Sequence, residues 1–303
     1  MSTERVLVVG ATSTVGGYVV QQLKQAGVFS PVAATRDPEK AASFNKQGIE
    51  TVILDLASPD SVAAAMKGIR SVFLLTGYTV EMLQQCKLVV DQAVKAGVKH
   101  IVHMGAWAPD DTDIAHFGWH QFIERYIEGS GLEWTHIAPN FFMQNLLGSG
   151  SLWRSFSKGK DSDGLPLHTF FGDAKIGWVS AEDIARASVA ALHDVDTHAG
   201  EKYNLSVEVR SVSEIAEILE RTLNQKFTVV DHEPEVFHEA LISGGMEPNY
   251  AASALDTLRR FRLSAVPEQD KVFDNFKSIT GVEPIDWVRF ARLHRAEFLD
   301  KPQ

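Results

Sequence analysis

Short runs of apolar and β-branched residues alternate with stretches of helical periodicity through the first half of the chain. The runs cover Val6–Val9, Pro31–Thr35, Thr51–Leu54, Ser71–Leu75, Lys99–Met104 and Glu133–Ile137. They are apolar throughout rather than alternating, which predicts strands covered on both faces, as in a parallel sheet. The segments between them carry helix punctuation. Asp37 before Pro38 and Ser58 before Pro59 predict capped helix starts, and Gly27, Gly97 and Gly131 predict helix ends. This alternation predicts an α/β fold, a Rossmann-type doubly wound parallel sheet.

After about residue 148 the rhythm loosens into glycine- and serine-rich text at 148–151 and 157–164, read as loops. The expected organisation is therefore a dinucleotide-binding domain over 1–148 and a smaller mixed α/β lobe over 149–303, with the chain crossing between them. In the second part, Ser180-Ala-Glu-Asp183 reads as a capping box, with Ser180 as N-cap and Asp183 facing back to the first turn. A strand near Lys202–Leu205, a helix over Ser213–Leu223, a strand over Phe227–Val230 and further helices follow.

Composition narrows the function. The 303 residues are 45% hydrophobic and contain one cysteine, Cys86, so no intrachain disulfide or thiolate metal cluster is possible. A net charge of −10 with scattered Lys and Arg argues against a nucleic-acid partner. The first apolar run is about one strand long and leads straight into a glycine turn, so neither a signal peptide nor a membrane span is expected. A cytoplasmic monomer or homodimer acting on a small molecule is the expectation.

The strongest local signal is Gly10-Ala-Thr12-Ser13-Thr14-Val15-Gly16, directly after the first strand and opening the first helix. Glycines there let backbone amides approach a pyrophosphate at the positive end of a helix. Ser13 stands where a second glycine is usual, and its hydroxyl is a candidate phosphate partner. Gly16 is expected to tolerate no side chain, because pyrophosphate and helix packing need its space. At the end of the second strand an acidic residue would hold a ribose 2′-hydroxyl, whereas an arginine suits a 2′-phosphate. Arg36 stands twenty positions beyond Gly16, and Asp37 after it has a capping role. NADP(H) is therefore expected over NAD(H). Asp55 and Leu56, ending the third strand, are placed either at the adenine edge or in an ordinary turn.

These segments, with Thr35-Arg36-Asp37-Pro-Glu-Lys40, Gly129-Ser-Gly-Leu132-Glu-Trp-Thr135, Pro139-Asn-Phe-Phe-Met143-Gln-Asn145 and Val179-Ser-Ala-Glu-Asp183-Ile-Ala185, resemble the NmrA-like family of atypical short-chain dehydrogenases/reductases. That family includes quinone and triphenylmethane-dye reductases and NADP(H)-binding redox sensors. The resemblance implies a substrate cleft between the two lobes. The cofactor set expected beside the glycine turn, Arg36, Asp55 and Leu56 adds Thr76, Gly77, Gly105, His120, Pro139 and Phe142.

Short-chain dehydrogenases ordinarily use a tyrosine with a lysine one helical turn later. Here Tyr18, Tyr78, Tyr126, Tyr203 and Tyr250 are followed four positions on by Gln22, Met82, Ser130, Val207 and Ala254. His116-Phe-Gly-Trp-His120 occupies the helix where the pair belongs. His120 is the candidate catalytic group, as hydrogen-bond donor or as proton donor near pH 7; the plainer reading leaves both histidines solvent-exposed at a helix start. Tyr78, Trp107, Trp119, Phe141 and Phe142 are the candidate substrate-contacting residues, with Trp153, Phe170 and Phe171 as further aromatic neighbours. The expected function is NADP(H)-dependent hydride transfer to a quinone-like, enone or other conjugated molecule. A non-catalytic NADP(H) sensor acting on a protein partner is the alternative, and an epimerase or dehydratase is disfavoured by the missing tyrosine–lysine pair.

Overall fold

A computed structural model describes residues 4–147 and 164–299. The loop text at 148–163, with Trp153, lies outside them. The first half alternates as expected: β1 (Glu4–Val9), α1 (Thr14–Ala26), β2 (Phe29–Thr35), α2 (Pro38–Lys46), β3 (Glu50–Ile53), α3 (Pro59–Ala65) and β4 (Ser71–Leu74). It continues with α4 (Met82–Ala96), β5 (His100–Met104), α5 (Ala115–Glu128) and β6 (Glu133–Pro139). Then come β7 (Phe141–Phe142), β8 (Leu165–Thr169), β9 (Ile176–Val179), α6 (Ala181–His193), α7 (Val195–His198) and β10 (Glu201–Leu205). The chain closes with β11 (Glu208–Arg210), α8 (Val212–Leu223), β12 (Phe227–Asp231), α9 (Pro234–Ser243), α10 (Pro248–Arg262), α11 (Phe276–Thr280), α12 (Trp287–Leu293) and α13 (Arg295–Leu299). Among the described residues, no helix is long and apolar enough to cross a membrane.

The main sheet has seven parallel strands in the order β3-β2-β1-β4-β5-β6-β10. From β1 the chain winds outward through β2 and β3, then returns to place β4 on the other side of β1. That reversal opens a crevice at the carboxyl ends of β1 and β4, where ligands of such sheets bind. One sheet face, with Val6, Val8, Phe73, Val102 and Ile137, is buried against α1 and α6. The other, with Leu7, Val9, Val72, Leu74 and Ile101, is buried against α3, α4 and α5. Each such side chain contributes about 1.5–3 kcal/mol on burial, so the two covered faces hold the crevice on a rigid base.

The second half crosses back into this core. Helix α6 packs on α1, and β10 extends the sheet beside β6. Ser180 caps α6 as expected, its hydroxyl accepting from the Asp183 amide at 3.0 Å. The Asp183 carboxylate also interacts with the Ser180 side chain at the cap. It is fully buried and accepts from the Ile285 amide and from Arg186 Nη1, both at 2.6 Å, tying the C-terminal segment to α6.

The remaining strands form two small sheets, β11-β9-β7 and β12-β8. Strands β8 and β9 escape a reading of the sequence because they are short and flanked by glycine and aspartate. Phe170, Phe171, Trp178, Phe261, Trp287 and Phe290 fill the core of this lobe with rings that are fully buried.

Gly16 is fixed by the fold itself. A Cβ there would lie 2.1 Å from the Gly10 carbonyl oxygen and 2.7 Å from its carbon, so a side chain collides with backbone before any ligand is considered. Gly16→Ala is therefore expected to cost about 1–3 kcal/mol of stability even without cofactor. Denaturant unfolding of the cofactor-free protein checks this, and an unchanged midpoint would contradict it.

Candidate functional site

The crevice is built around the turn from β1 to α1. Gly10 has φ +80°, and a Cβ on it would meet the Leu75 carbonyl oxygen at 2.8 Å, so only glycine lets β1 leave the sheet tightly against β4. Ser13 caps α1, its hydroxyl accepting from the Gly16 amide at 3.0 Å. The oxygen is thus occupied as an acceptor, while its proton remains to be donated. Thr12, Ser13 and Thr14 are exposed and Val15 is buried beneath them. The amides of a helix's first turn lack intrahelical acceptors, so this exposed start presents donors and a partial positive charge to the crevice.

The other expected cofactor residues surround this turn at neighbouring strand ends. Arg36 is exposed just after β2 and makes no hydrogen bond or ion pair with the described residues. Asp37 is committed to capping α2, accepting from the Glu39 and Lys40 amides at 2.8 and 3.3 Å. Asp55 accepts from the Ala57 amide at 2.9 Å, so the turn role considered for it is filled, and Leu56 leans on the core. After β4, Thr76 is half-buried beside the Cys86 thiol and Gly77 has open space around it. Gly105, Pro139 and Phe142 follow along β5, β6 and β7, with the Gly105 amide donating to Ile137 O at 2.9 Å.

The aromatic candidates separate into two groups. Trp107 is 3% exposed and packs on Phe261 and Phe273, with ring centroids 6.4 and 6.1 Å apart; it is a core residue. Phe170 and Phe171 are buried likewise, and Phe141 leans on Phe171 and Phe261. Phe142 packs against the sheet core. Tyr78, 57% exposed, and Trp119 meet instead over Tyr250 of α10, with centroid distances of 5.1 and 6.4 Å. His116 joins the same cluster at 5.2 Å from the Tyr250 ring. In the sequence Tyr250 stood out only as a tyrosine without a lysine partner, and nothing local marks it for the ring cluster; α10 is brought to Asp113 beyond β5 by tertiary packing, including the Arg260–Asp113 ion pair.

Neither histidine of α5 is solvent-exposed. His116 is buried, and its amide and Nδ1 lie 2.9 and 2.8 Å from the Ser253 hydroxyl. Burial pushes its pKa down to about 4. His120 Nδ1 is buried without a protein partner, and burial, with His103, His116 and Lys202 nearby, drives its pKa well below the usual range. This burial disfavours the imidazolium donor expected near pH 7 and favours a neutral ring that donates an N–H or passes a proton on. Beneath it lie His103, His136, Glu124 and Lys202. Glu124 Oε2 accepts from Lys202 Nζ at 2.7 Å. These residues were legible only as isolated polar letters within apolar segments.

The family model described as NmrA-like matches residues 2–289 of this chain. The chain belongs to the NmrA-like family. An NAD(P)H azoreductase of Xenophilus azovorans is 31% identical over 295 residues, covering 97% of this chain and 99% of the relative. Quinone oxidoreductase 2 of Escherichia coli is 24% identical over 258 residues, covering 83% and 86%. Among solved structures, Citrobacter sp. triphenylmethane reductase complexed with NADP(H) superposes with TM-score 0.77 at 22% identity, covering 95% of this chain and 99% of that one, a likeness of fold.

In this NmrA-like protein the buried imidazoles make stability depend on pH. Burial lowers His100 and His116 to about 4 and His136 to about 3. The unfolded chain, with pKa values near 6.5, then binds more protons than the folded one between about pH 6.5 and 4, so stability is present above that window and lost as pH falls through it. Each histidine contributes about 1.4 kcal/mol per pH unit. Urea unfolding between pH 6.5 and 5, above the range of ordinary carboxylates, is expected to show a steep loss that His136→Phe reduces. A flat profile there would mean the imidazoles are hydrated.

Proposed function

We propose that this NmrA-like protein is an NADP(H)-dependent reductase that transfers hydride to a flat conjugated acceptor of quinone or azo type. The observation that carries the reading is that the exposed start of α1, the unpaired Arg36 guanidinium and Tyr78 of the Tyr78–Trp119–Tyr250 ring cluster follow the carboxyl ends of the adjacent strands β1, β2 and β4, the end at which such sheets bind ligands. The near full-length similarity to an NAD(P)H azoreductase supports the same reaction class.

The residues present suit the cofactor. The amides of the Gly10–Gly16 turn and the α1 dipole hold the pyrophosphate. Arg36 pairs with the 2′-phosphate and can stack on the adenine, with Asp37 withheld from the ribose by its cap bonds. When bound, NADPH supplies the hydride. Tyr78, Trp119 and Tyr250, packed on one another, offer the acceptor an aromatic surface that orients it by shape more than by charge. His120, kept neutral, offers a hydrogen bond without placing a cation beside the nicotinamide. A general-acid tyrosine–lysine pair is not required where hydride transfer depends mainly on proximity and orientation. The alternative, a non-catalytic NADP(H) sensor, draws its support from the missing pair.

Purified protein is expected to oxidise NADPH in the presence of quinones and azo dyes and to bind NADPH about ten- to a hundredfold more tightly than NADH, from a charge-assisted contact of about 1.5–3 kcal/mol. Arg36→Ala should remove most of that difference in a calorimetric titration. Tight NADPH binding with no turnover of any acceptor would favour the sensor, and equal affinity for the two cofactors would overturn the role given to Arg36.

A further inference from the structure

His116, His120, Glu124 and Glu128 recur at every fourth position of α5 and so share one side of the helix. That side covers a second row. His103 on β5, His136 on β6 and Lys202 on β10 are direct register partners across three adjacent strands, so their side chains stand on one sheet face. Strand spacing makes this row about 10 Å long. Its inner end lies under the crevice: a Cβ on Gly105 would sit 3.2 Å from His103 Cε1 and 3.3 Å from Glu124 Oε1. The outer end is the sheet edge, where the Lys202 side chain is 29% exposed.

The two rows touch along their length. The His120 and His103 rings have centroids 6.0 Å apart, and His103 meets His136 edge-on at 5.4 Å. Glu124, 3% exposed, holds Lys202 at 2.7 Å, and His136 Nε2 lies 3.6 Å from Glu128 Oε1. Both ring nitrogens of His103 and of His136, Nδ1 of His120 and Oε1 of Glu124 are buried without a hydrogen-bond partner. Stability does not account for this. Apolar residues normally fill the faces of a covered parallel sheet, each buried unpaired group costs about 1–3 kcal/mol, and an apolar replacement of a buried ion pair is often neutral or better. Internal water bridging such groups would complete their hydrogen bonds.

We propose that these rows form a proton path from solvent at Lys202, through Glu124 and His103, to His120 beside the crevice. The inference rests on the reductase reading. Reduction of a quinone or an azo bond takes a hydride from NADPH, leaving NADP+, and one proton, which neutralises the oxygen or nitrogen anion that the hydride creates. His103 and His120 each release a proton from one ring nitrogen as they take one at the other, through bridging water where no direct hydrogen bond joins them. Glu124 passes on a proton received from Lys202, and Lys202 regains one from water. No group along the path changes its protonation over a turnover, so neutral histidines suffice. A cationic triphenylmethane dye differs in needing no proton, because hydride on its central carbon gives the neutral product directly.

The test compares Glu124→Gln and Lys202→Met with the parent, using a quinone and a cationic triphenylmethane dye under saturating NADPH. The ratio of quinone to dye turnover is expected to fall about tenfold or more in each variant, a threshold below the roughly 10²–10⁴-fold of a complete acid–base contribution because water can partly replace one member of the path. A ratio unchanged within twofold, whether both rates fall or neither does, overturns the path. A second measurement needs no cofactor. In protein labelled with 15N-histidine, ring N–H exchange of His103 and His120 with solvent is expected to slow by a similar factor in the variants, and unaltered exchange contradicts the path. A parent protein that reduces neither acceptor would refute the reductase reading, and the exchange comparison would still decide the path on its own.

Discussion

The contact between Gly16 and the Gly10 carbonyl is the constraint on which the site depends. Because no atom fits between them, the start of α1 is held directly over the end of β1, and Gly10 in turn is pressed against Leu75 at the end of β4. One backbone contact thus joins the anion-accepting start of a helix to the strand pair at which the sheet reverses its order. The pyrophosphate seat proposed for the crevice is built on that point. The sheet faces contribute rigidity, since both are buried under helices from the two halves of the chain.

A second organising feature is that the crevice and its foundations are electrostatically quiet. The imidazoles at and beneath it are held neutral by burial, and the one buried carboxylate among them, Glu124, is matched by Lys202. Arg36 and the helix dipole place positive charge at the end where phosphates would lie. Such a division suits a site that binds an anionic cofactor at one side and an apolar conjugated ring at the other.

The first half of the fold was legible because its cues are local. Six apolar runs became strands within a residue or two, and Asp37, Ser58 and Ser180 cap the helices expected of them. What escaped reading was set by tertiary placement. Strand β10 completes the main sheet although its sequence sits in the less regular half. Trp107 looked like a pocket residue because it follows a strand end, but the second lobe folds over it and takes it into the core. Tyr250 made the opposite move, from a helix start with no local mark to the face of Tyr78. The histidines of α5 were visible, but their state depends on the sheet row beneath them. Only cross-strand register brings His103, His136 and Lys202 together.

Hydride transfer at the β1–β4 crevice is tested by following the hydrogen itself. NADPH deuterated at both C4 positions is incubated with the protein and a cationic triphenylmethane dye, whose product holds the transferred atom on carbon where it does not exchange. Mass spectrometry is predicted to find one deuterium in the product, with turnover at limiting NADPH reduced in Arg36→Ala. Product formed without deuterium, or bound NADPH that reduces neither this dye nor any quinone or azo acceptor, would contradict the account.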